Sequence, residues 1–106
     1  MHNYKIEYKT NAKAKIQADA LYYNMKQKGL GLEYLEKIEK KINLITKHPK
    51  IAPIIYDIYR KIPLEKFEHS IIYTINEPQN QIIIAAVQHH KQHPENWRRE
   101  LVNYEL

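Results

Sequence analysis

The residues best equipped for chemistry sit near the end of the sequence. The stretch AVQHHKQHPENWRREL, residues 86–101, gathers His89, His90, His93, Pro94, Trp97, Arg98 and Arg99. Imidazoles titrate near neutral pH, so His89 or His90 can act as general base or acid on a phosphodiester. Such a reaction also needs a cation on the phosphate, and Arg60 is the candidate. Strand alternation puts Arg60 on an otherwise apolar face, where an arginine needs a partner, a groove or the sheet margin. Each residue has a plainer role beside the chemical one. Arg60 can pair with a carboxylate such as Glu68, and His89 can be a hydrogen-bonded corner residue. Arg60, His89 and His90 are therefore the catalytic candidates if the protein cleaves a phosphodiester.

Other chemistries are poorly supported. His89 and His93 would face together only on a helix, yet they fall at a strand end and in the turn after it. The nearest acid is Glu95 and the chain has no cysteine. No closed ligand set results, so neither a metal site nor a cofactor is expected. Without cysteine there is no thiolate nucleophile, and Ser70, the one serine, lacks a glycine elbow. No glycine-rich phosphate loop occurs. Pro94 and Trp97 read as a structural corner: Pro94 opens a short helix, and Trp97 anchors it to the sheet. Arg98 and Arg99 complement that helix's dipole.

The elements that must position these residues follow from periodicity. Residues 3–8 alternate, with Tyr4, Ile6 and Tyr8 on one side, as a half-buried strand does. From Asn11, read as an N-cap, Ala12, Ile16, Ala20 and Tyr23 recur at helical spacing. Gly29 and Gly31, the only glycines, read as a C-cap and tight reversal. A second helix carries the stripe Leu35, Ile38, Ile42 and Ile45, with Glu33–Lys37 and Glu36–Lys40 as i,i+4 pairs. Pro49 stops it near Lys47. The two helices should form an antiparallel hairpin. Residues 54–62 alternate as one strand limited by Pro63. HSIIYTIN, residues 69–76, is another strand, and EPQNQ is a turn. QIIIAAVQ, residues 81–88, is apolar on both faces and therefore central. The expected fold is α+β, ordered β-αα-βββ-α, a helical hairpin packed on a mostly antiparallel four-stranded sheet.

Length and charge set the outer bounds. A chain of 106 residues makes one domain and can bury a core without staples. No apolar run approaches the roughly 18 residues of a membrane span, and the polar start MHNYKIEYK is unlike a signal peptide. A cytoplasmic protein with no membrane partner is expected. The net charge of +5 is uneven: residues 1–50 hold 11 − 5 = +6 and residues 51–106 hold 6 − 7 = −1. The C-terminal half is therefore not a basic nucleic-acid surface, and the N-terminal lysines read as a solvated helix face.

The segment from His48 to Leu101 resembles the C-terminal half of the RelE/ParE superfamily of type II toxin–antitoxin toxins. The carrying residues are His48-Pro49, Arg60, Phe67, Ile72-Tyr73, Val87, His89, Pro94 and Trp97, and the hairpin and first strand fit too. The family's two basic residues and following acid are Lys91, Gln92 and His93 here. The RNA-cleaving RelE branch usually carries several basic residues on the sheet and a terminal His or Tyr. Here the sheet has Arg60, Lys61 and Lys66, and Tyr104 lies in a polar tail. The ending H-x-x-x-x-P-x-x-W is closer to the ParE branch. The resemblance implies a growth-inhibiting toxin of the plasmid-stabilisation type, neutralised by a cognate antitoxin, with DNA gyrase as target. It leaves two alternatives: a ribosome-dependent mRNA endoribonuclease, and an inactive fold member that only binds its antitoxin. Target-contact candidates are Arg60, Lys61, Lys91, Arg98 and Arg99. Nine tyrosines exceed what a core this size needs, and Tyr22, Tyr23, Tyr34 and Tyr59 are not all expected to be buried. Exposed ones are interface anchors.

Overall fold

Helix-forming and strand-forming sequence separate cleanly along the chain. The computed structural model describes residues 4–91 and Arg98. Its elements are β1 (Lys5–Tyr8), α1 (Thr10–Lys26), α2 (Leu30–Lys47), β2 (Ile54–Tyr56), β3 (Tyr59–Pro63), β4 (His69–Asn76) and β5 (Gln81–His89), with a short 3-10 turn at Glu77–Gln79. The strands form one sheet in the order β1-β5-β4-β3-β2. β1 runs parallel to β5, and every other pair is antiparallel. The architecture is two helices on a five-stranded mixed sheet, rather than the four mostly antiparallel strands expected.

The fifth strand comes from a hairpin hidden in residues 54–62. Asp57 takes a left-handed backbone, φ 53°, and turns the chain between β2 and β3. Aspartate tolerates that region without glycine's help. Alternation alone ran straight through it.

Sheet and hairpin share one core. Ala12 and Ile16 of α1, and Tyr34, Ile38, Ile42 and Ile45 of α2, pack on Ile71, Tyr73, Ile82, Ile84 and Val87. The α2 stripe is shifted from the expected one: Tyr34 is buried and Leu35 is exposed. Among the described residues, Glu33 pairs with Lys66, and Lys37 lies 3.9 Å from Glu65, so α2's ion pairs reach the β3–β4 loop instead of running i,i+4. Asn11 does not cap α1. Lys9 holds the cap position, and the Asn11 amide donates to the Ala85 carbonyl at 3.2 Å, tying helix to sheet. Gly29 makes the reversal in a left-handed conformation, φ 89°. Gly31 serves a different purpose inside α2: a Cβ there would lie 2.2 Å from the Ala20 carbonyl oxygen of α1. It lets the helices touch.

β5 is internal, flanked by β1 and β4, as its two-faced apolarity requires. Ile82, Ile84 and Val87 join the helix-side core, while Ala85 and Ala86 pack with Tyr59 and Ile72 in a second cluster. The change from even to odd numbers is a bulge. Ile72 pairs with Ala86 and Tyr73 with Ile84, so Ala85 is the extra residue.

Candidate functional site

That bulge decides where the histidines point. Beyond Ala85 the facing of β5 is inverted, and His89, paired with His69, shares the helix side of the sheet. The two imidazoles meet edge to face with centroids 4.8 Å apart. Without the extra residue His89 would face the opposite side. His90 does so: its Nε2 lies 3.0 Å from the Ser70 hydroxyl.

His69 belongs to a buried polar cluster among aromatic rings. Its Nδ1 is 3.1 Å from the Tyr23 hydroxyl and its Nε2 is 3.4 Å from Asp19 Oδ2. The same Asp19 oxygen accepts from the Tyr34 hydroxyl at 2.9 Å, and Lys15 Nζ sits 2.6 Å from the other oxygen. Tyr23 packs edge-on against Phe67 at 4.8 Å. A carboxylate taken out of water needs such partners, since an unpaired one costs several kcal/mol or changes its protonation. Burial pushes the His69 pKa down to about 4, with Lys15, His89 and His90 adding to the fall and Asp19 opposing it. The ring is therefore neutral near pH 7. Tyr23 can donate its hydroxyl proton to Nδ1, which leaves the Nε2 proton directed at Asp19. The phenols of Tyr34 and Tyr23 are both raised, first by burial and then by the Asp19 charge.

This cluster floors a groove of about 860 Å³ between α1 and the ends of β4 and β5, with Lys26, Lys66 and His89 among its lining residues. Sequence reasoning missed its centre. The available signal was Asp19: three residues after Ile16, it falls beside the apolar stripe of α1, where a carboxylate needs a buried partner.

The sequence-derived candidates do not converge. Arg60 stands opposite Tyr73, and its guanidinium donates to the carbonyls of Ala52 at 2.6 Å and Lys50 at 3.4 Å. It clamps the α2–β2 loop, which the Tyr73 hydroxyl also holds through the Pro49 carbonyl at 2.7 Å. No Glu68 pair forms. Arg60 and His89 flank β4 positions four residues apart, about 13 Å along the strand. His89 is occupied locally: its Nδ1 accepts from the Lys91 backbone at 3.0 Å, and its Nε2 is 3.9 Å from Glu68. Lys61 pairs with Ile72 on the face away from the helices. Arg98 lies 4.4 Å over the Tyr56 ring, at the β2–β3 hairpin. Lys91 follows β5, exposed. His93, Pro94, Trp97, Arg99, Tyr104 and the expected terminal helix lie outside the described residues, Arg98 excepted. Among the described residues no three His, Cys, Asp or Glu gather as metal ligands, and no helix is long and apolar enough to cross a membrane.

Solved structures share this fold. A chain of the chromosomal ParDE system from P. aeruginosa superposes with a TM-score of 0.71 at 15% identity, covering 84% of this chain and 98% of that one. A free-state double-arginine mutant of E. coli toxin RelE gives 0.73 at 16% identity, with 100% of each chain covered. Isolated E. coli RelE gives 0.64 at 16%, covering 97% and 99%. At these identities the likeness establishes the fold. Comparison with curated protein sequences returns no match. The model of the ParE toxin of the type II toxin–antitoxin system parDE matches residues 6–94. The chain belongs to this family of type II toxin–antitoxin toxins.

Proposed function

We propose that this protein is a ParE-like toxin that poisons DNA gyrase and is held inactive by a cognate antitoxin. The observation that carries the reading is the dispersal of Arg60, His89 and His90. Arg60 is spent on loop carbonyls, and His89 and His90 project from opposite faces of β5. General acid–base cleavage of a phosphodiester needs its groups within hydrogen-bond reach of one reacting centre. Family membership adds support. Contact with the target falls to the face bearing Lys61 and Arg98, with Lys91 at its end.

Two assays on the purified protein test the proposal together. It should inhibit gyrase supercoiling and leave mRNA intact on translating ribosomes. Robust ribosome-dependent cleavage that disappears in a folded His89→Ala variant would replace it with the RelE-like endoribonuclease. Silence in both assays, with antitoxin binding retained, would leave an inactive member of the fold.

A further inference from the structure

The second half of α2 carries a feature that the toxin reading does not use. Lys37, Lys40, Lys41 and Lys47, with Asn43 and Leu44, line a concavity of about 370 Å³. Glu65 is its one acidic lining residue, 3.9 Å from Lys37. The ammonium groups of Lys40, Lys41 and Lys47 have no hydrogen-bonding or ion-pairing partner among the described residues. The acids Glu33, Glu36 and Glu39 of the same helix are not among the lining residues. The concavity thus gathers much of the +6 that residues 1–50 carry, 11 Lys against 5 acids.

We propose that this lysine-lined concavity binds the phosphate backbone of duplex DNA without sequence preference. Four ammonium groups around a shallow hollow leave uncompensated positive charge, and a polyanion is the ligand that relieves it by releasing its counterions. From Lys37 to Lys47 the helix rises about 15 Å. Over that length duplex DNA presents roughly nine phosphate charges, one per ~1.7 Å of axis. The helix is a rigid rod, so its lysines match a rigid ridge of phosphates. A single strand is a poorer fit, because no aromatic side chain lines the hollow for bases to stack on. The Asn43 amide adds a donor of the kind that positions a backbone without reading bases. The inference is independent of the gyrase reading, since binding is measured with no gyrase present.

The test is fluorescence anisotropy of a labelled random-sequence duplex of about two helical turns, titrated with the full chain over a salt series. With Lys37 held by Glu65, three phosphate contacts predict a slope of log K against log salt of about −2.7. The triple variant Lys40→Gln/Lys41→Gln/Lys47→Gln should lose at least about tenfold in affinity, and its slope should fall by about 2.7. A control triple, Lys5→Gln/Lys13→Gln/Lys28→Gln, removes the same charge elsewhere and should lose much less. Glu65→Gln releases Lys37 and should tighten binding a few-fold, a gain that misfolding cannot imitate. Equal losses in the two triples, a flat salt response, or tighter binding to a single strand or an RNA duplex would overturn the proposal.

Discussion

A neutral imidazole packed beside a carboxylate fixes how the helix–sheet junction responds to acid. In the folded state the His69 pKa lies near 4, against an ordinary value of 6.5. Between those values the unfolded chain takes up a proton that the folded chain refuses, so stability is complete above about pH 6.5 and falls as the pH drops toward 4. The loss at the acid end is on the order of a few kcal/mol. Urea unfolding near pH 7 and near pH 5 measures it. His69→Gln should flatten the profile over that window, and an equally steep fall in the variant would show that His69 is not the group responsible. The Asp19 end of the cluster gives a second expectation. Tyr34→Phe removes the hydroxyl that donates to Asp19 at 2.9 Å while keeping the ring packed on Phe67. A buried carboxylate that loses a donor should cost about 1–3 kcal/mol. A variant as stable as the wild type in urea would mean that Asp19 has found another donor.

Helix contact and strand bulge are the two devices that set the elements, and each leaves a different trace in the sequence. Gly31→Ala puts a methyl group 2.2 Å from a backbone oxygen of α1. A carbonyl cannot swing aside as a side chain can, so the helices must part, at about 1–3 kcal/mol. Gly29→Ala meets open space but strains a φ of 89°, at about 1–2 kcal/mol. Thermal melts should show both losses. Loosened packing predicts greater apolar-dye binding for Gly31→Ala alone, and dye binding equal in the two variants would contradict the assigned roles. Both glycines were legible as punctuation, and only structure separates the turn from the contact. β4 was readable to its ends because a β-branched apolar run is bounded by the EPQNQ turn, and its first six residues are buried. The β2–β3 hairpin was not, since Tyr56, Ile58 and Arg60 keep their alternation through a turn that no glycine marks. The Ala85 bulge was equally silent: in a strand apolar on both faces, an added alanine breaks no pattern. His89 was therefore recognisable as a candidate, but its neighbour His69 was not.

At the scale of the molecule, large apolar side chains stand exposed on several elements. Ile51, Ile54, Ile55, Tyr56 and Ile58 cluster in sequence along the α2–β2 loop and the β2–β3 hairpin, all exposed, and Leu21, Tyr22 and Met25 are exposed on α1. The four tyrosines are not all buried, as expected: Tyr34 and Tyr59 are core residues, Tyr23 is half-buried, and Tyr22 lies open. Exposed apolar side chains gathered into a patch mark interaction sites or invite aggregation. Membership of a toxin–antitoxin family implies a cognate antitoxin, and a partner that binds only the folded state stabilises it by mass action. With antitoxin free at about 100 times its Kd, the gain is about 2.7 kcal/mol. In a domain of this size that corresponds to a rise of roughly 10–20 °C in Tm. The chain alone should bind an apolar dye strongly in its folded state and should lose most of that signal on mixing with the product of the adjacent reading frame. Melting curves and dye titrations on the same samples read both effects. A neighbour that shifts neither quantity is not the antitoxin. If no flanking frame shifts them, the pairing expected of this toxin is absent from its locus.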